Sequence, residues 1–60
     1  MKYYIYHTQK DKNSVPDNLK DAVEWLNWHN PKAILLTQND SITTHLKAMN
    51  EYGDKTIIEE

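Results

Sequence analysis

The pattern of apolar and polar positions along this chain predicts three strands and two helices in alternation. Residues 2–8, Lys-Tyr-Tyr-Ile-Tyr-His-Thr, are a run of β-formers, and they predict an N-terminal strand. Alternation places Tyr3, Ile5 and His7 on one face and Tyr4 and Tyr6 on the other. The polar stretch Gln9–Ser14 reads as a loop. Leu19, Ala22, Val23 and Leu26 then recur at i, i+3, i+4 and i+7, the apolar stripe of a helix over about 16–29. Ser14, Pro16 and Asp17 have the residue types and spacing of a helix start. Asn30-Pro31 ends the helix, because a residue preceding proline is driven from the helical region.

Lys32–Thr37 is apolar on both faces, Ala33 and Leu35 on one and Ile34 and Leu36 on the other. Strands of that kind are usually covered on both sides. A turn at Gln38-Asn39-Asp40 leads to a second helix, over roughly 41–52, with Asp40 or Ser41 as its cap. Ile42, Leu46 and Met49 form its apolar stripe, with His45 beside them. Gly53, the only glycine, stands where a left-handed helix end needs one. Lys55–Glu59 closes the pattern as a short strand.

The order β-α-β-α-β with short connections implies an α/β domain spanning residues 1–60, with a three-stranded, mainly parallel sheet and two helices. Two strand orders fit. A 2-1-3 order places one helix on each face. A 1-2-3 order places both helices on one face and leaves the other bare. The second strand is the most apolar on both sides, so the 1-2-3 order is favoured. The expected core is Ile5, Leu19, Val23, Leu26, Ile34, Leu35, Leu36, Ile42, Leu46, Met49, Ile57 and Ile58.

Composition narrows the function classes. Sixty residues make a thin core. No apolar leader follows Met1 and no long apolar run occurs, so neither a signal peptide nor a membrane span is expected. Without cysteine there are no disulfides and no thiolate metal sites. A secreted domain of this size would usually need such staples, and the cytoplasm is the expected compartment. The net charge of −2 is dispersed, and the basic residues are all Lys with no Arg. Arg is the preferred reader of phosphate and of guanine edges, so a nucleic-acid partner is not expected. The leaning towards Lys, Asn, Ile and Tyr suits an AT-rich genome, and with the short length it suits a bacteriophage or mobile-element protein.

Candidate chemistry is sparse. His7, His29 and His45 fall on separate elements without ligand spacing, so no metal or cofactor is expected. No serine or threonine sits in a nucleophile elbow, and an enzyme is not expected. In a parallel sheet, His7, Thr8, Thr37, Gln38, Asn39 and Ser41 would gather at the carboxyl edge of the strands, where a small anion or nucleotide can bind. Against that stand the absence of glycine from those loops and the repulsion of Asp40.

The aromatic residues are more informative. Trp25 flanks the stripe of the first helix, and Trp28 falls nearly opposite it. Tyr4 and Tyr6 project together from the first strand. Trp and Tyr are enriched at interface hot spots. The expectation is therefore a cytoplasmic protein-binding module, regulatory or inhibitory, with Tyr4, Tyr6, Trp25 and Trp28 on its partner surface. The partner is another protein or a second copy of the chain. The alternative is the anionic-ligand binder.

Overall fold

The computed structural model describes residues Met1–Glu60. The elements are β1 (Lys2–His7), a 3-10 turn at Gln9–Asp11, α1 (Leu19–Trp28), β2 (Ala33–Thr37), α2 (Ile42–Tyr52) and β3 (Asp54–Glu59). The order of predicted elements is therefore the observed one. The strand order is β2-β1-β3. Both neighbours pair with β1 antiparallel, Ile5 lying opposite Leu35 on one side and Thr56 on the other. This overturns the mainly parallel sheet and the favoured 1-2-3 order.

The cause lies in the segment between β1 and α1. In a parallel crossover the helix itself makes the return journey. Here the chain from Thr8 to Asn18 does so. About eleven residues can reach ~36 Å when extended, against ~20 Å for the six-residue β1. Val15 anchors this segment against the core. α1 therefore starts beside the first residue of β1, where Leu19 N donates to the Glu60 carboxylate at 2.7 Å and Glu60 N to the Met1 carbonyl at 2.9 Å. α1 then runs alongside β1 in the same direction, and β2 must come back antiparallel. The next unit, β2-α2-β3, does join two parallel strands, but β1 is inserted between them.

Local signals fix the helix ends. Asn18 caps α1, its side chain accepting from Asp21 N at 2.9 Å; Ser14 and Pro16 precede the helix rather than open it. Asn30, at φ 46°, takes the left-handed conformation just before Pro31. Ser41 caps α2 through Thr44 N at 3.2 Å, and Gly53 ends it at φ 102°.

With β1 central, each face of the sheet has its own helix. Ile5 and Ile58 pack with Ala22 of α1 on one face, joined by Tyr3, Val15, Trp25, Ala33 and Leu35. α2 covers Tyr4 and Tyr6 on the other. The buried set is Ile5, Tyr6, His7, Ala22, Ala48 and Ile58. Leu19, Leu26, Ile34, Leu35 and Leu36 are half-buried, while Val23, Ile42, Leu46, Met49 and Ile57 are exposed against expectation. No helix is long and apolar enough to cross a membrane.

Candidate functional site

The tyrosine face is closed by a polar relay. His45 approaches the sheet from α2, and its Nε2 lies 2.9 Å from the Thr37 carbonyl. A carbonyl only accepts, so Nε2 carries the proton. In the neutral ring Nδ1 then accepts from the Tyr6 hydroxyl at 2.7 Å. The ring of His45 meets that of Tyr4 edge-on at 4.8 Å between centroids. Burial raises the Tyr6 phenol above its ordinary pKa of 10.0, and neighbouring Tyr4 adds to the rise. A shallow hollow of about 250 Å³ remains beside the relay, edged by Tyr4, Gln38, Asp40, Ile42 and Lys55. Lys55 Nζ stands 5.9 Å from the centre of the Tyr4 ring. Tyr4 and Tyr6 are thus inside an intramolecular contact, not on an open face.

The proposed anion-binding edge is not assembled. His7 lies opposite Ala33, and Thr37 opposite Tyr3, so antiparallel pairing separates His7 and Thr8 from the other four residues by about 14 Å. Several of their polar groups also have internal partners. His7 is fully buried, its Nδ1 donating to the Thr8 carbonyl and its Nε2 accepting from the Thr56 hydroxyl, both at 2.8 Å. Thr37 N donates to the Asp40 carboxylate at 2.7 Å, Asn39 N donates to the Thr37 hydroxyl at 3.2 Å, and Gln38 Oε1 accepts from Lys2 N at 2.9 Å. Ser41 is the α2 cap.

The open site is on α1. Trp28 is 85% exposed, whereas Trp25 is half-buried against the core. The two indoles are three positions apart on one helix and share a groove of about 400 Å³ with Pro16, Asp21, Glu24 and His29. Trp28 stays in the open because α1 packs on the core through Ala22 and Trp25, with Leu19 and Leu26 half-buried beside them. The aromatic pattern of the sequence points to both tryptophans but not to the acids beside them. The signal was available: Asp21 precedes Trp25 by four residues and Glu24 precedes Trp28 by four, a spacing that makes helix neighbours.

A second exposed apolar surface runs along α2. His45, Ala48 and Tyr52 face inward, leaving Ile42 at 77% and Leu46 at 65% exposure, with Met49 beside them. No protein-family model, characterised protein or solved structure matches the chain.

Proposed function

We propose that the chain is a protein-binding module, regulatory or inhibitory rather than catalytic, which acts by occupying a surface of its partner with the outer side of α1. One observation carries the reading: Trp28 stands almost fully in water beside Trp25, at the rim of an open groove. Exposed indole is unfavourable in water, and Trp anchors dominate many interfaces. The groove supports binding by shape and apolar area. His7 and His45 are held by internal partners, and His29, the residue after α1, lines the same groove as the two tryptophans. The test is retention from native host extract on immobilised wild-type and Trp28→Ala chains. A protein held by the first and lost from the second supports the reading, and identical retention refutes it.

The stripe on α2 favours a second reading, association with another copy. Leu46 is central, with Ile42 one turn before it and Met49 one turn after. Two α2 helices crossing antiparallel at Leu46 would set Ile42 of each against Met49 of the other, a self-complementary two-fold contact. Sedimentation equilibrium decides it. Self-association that Leu46→Glu abolishes supports the dimer, and a wild-type monomer across the concentration range excludes it.

A further inference from the structure

Building on that binding reading, we propose that the groove on α1 receives an arginine- or lysine-bearing segment of the partner protein. Three features point there. The lining contains two carboxylates, Asp21 and Glu24, against a single basic side chain, His29, and neither Lys nor Arg. Both carboxylates are exposed, and each lies one helical turn from an indole. Aromatic faces attract cations, and Trp does so best. The Asp21 carboxylate also accepts from the Asn18 side chain at 2.9 Å, which fixes its position on the first turn of α1.

The size of the groove limits the occupant. About 400 Å³ is near the lower end of the range for ligand pockets, enough for one long side chain and its neighbours. A guanidinium suits it better than an ammonium, because a planar fork can stack on indole while pairing with a carboxylate. A negatively charged segment would meet two like charges, and a purely apolar one would leave both carboxylates to be desolvated without a partner.

The probe is the peptide acetyl-Gly-Arg-Gly-Arg-Gly-amide, titrated into the folded chain while the two indole Nε1–H resonances are followed by NMR. The same peptide with Gln in place of Arg is one control, and tetramethylammonium is another. The proposal expects the Arg peptide to shift both indole signals saturably and to bind more weakly as salt is raised. Glu24→Gln and Asp21→Asn should each weaken it about two- to fivefold, as for an exposed charge pair, and Glu24→Lys should weaken it further. Unfolding midpoints confirm that each variant is folded. Equal binding of the Gln peptide, no indole shift with any peptide, or tetramethylammonium binding as tight as the Arg peptide would each overturn the proposal. The two readings also fail separately. A partner lost by Trp28→Ala but fully kept by the Asp21→Asn, Glu24→Gln pair leaves a protein-binding groove without its cationic preference. Arg-peptide binding alongside a partner indifferent to Trp28→Ala leaves the reverse.

Discussion

At the scale of single residues, Tyr6 and His45 meet between the sheet and α2. The Tyr6 hydroxyl donates to His45 Nδ1 at 2.7 Å, and His45 donates onward to the Thr37 carbonyl. Tyr6→Phe keeps the ring and removes the donor, and should cost about 0.5–1.5 kcal/mol at neutral pH. The phenol adds a pH dependence of known sign. Its pKa is raised in the folded chain above the ordinary 10.0, so the protonated form is the one the fold favours. The contribution is complete below pH 10.0 and is lost as pH rises towards the folded-state value, because the unfolded chain releases its proton first. Urea titrations from neutral to strongly alkaline pH should show the wild-type advantage over Tyr6→Phe shrinking above pH 10. Curves that stay parallel would place the phenol in water. Some of this scale was legible in sequence. Gly53 and Ser41 do what their residue types suggested. Asn18 was obscured by Ser14, Pro16 and Asp17, which carry helix-start spacing but lie in the return segment.

At the scale of elements, periodicity found the helices but misjudged the rotation of one. Ile42, Leu46 and Met49 make the more apolar stripe of α2, yet His45, Ala48 and Tyr52 face the sheet. Two local effects outweigh the apolar count. His45 gains hydrogen bonds on both ring nitrogens, and the small Ala48, 3% exposed, lets the helix approach the strands closely. Neither effect is visible without knowing that Tyr6 and the Thr37 carbonyl lie opposite. Ala48→Leu should therefore overpack the contact and cost about 1–3 kcal/mol. In dilute solution Leu46→Gln should change stability by no more than about 0.5 kcal/mol. Denaturant midpoints check both, and the opposite ranking would mean that α2 is turned the other way. The stripe of α1 follows its periodicity more closely: Ala22 is buried and Leu19 and Leu26 are half-buried, with only Val23 on the exposed side.

At the scale of the whole molecule, element order was legible and strand direction was not. Direction turned on the residues from Thr8 to Asn18, whose polar composition marks a loop but does not say that it spans the length of β1. That segment makes the return, β3 pairs with the far edge of β1, both sheet faces are covered, and the bare tyrosine face expected from a 1-2-3 order does not exist. The exposed aromatic surface is then on α1, where Trp28 had been placed by its angle from the apolar stripe. Its acidic neighbours stand out only through their spacing from the tryptophans, because each carboxylate, taken alone, resembles any solvated helix residue. The proposal that α1 is the partner surface is tested most directly by calorimetric titration of a purified partner against the wild-type chain and Trp28→Ala. A hot-spot anchor is worth at least about 2 kcal/mol, so Trp28→Ala should raise Kd at least about thirtyfold while leaving the unfolding midpoint unchanged. A Kd equal to that of the wild type would contradict the account.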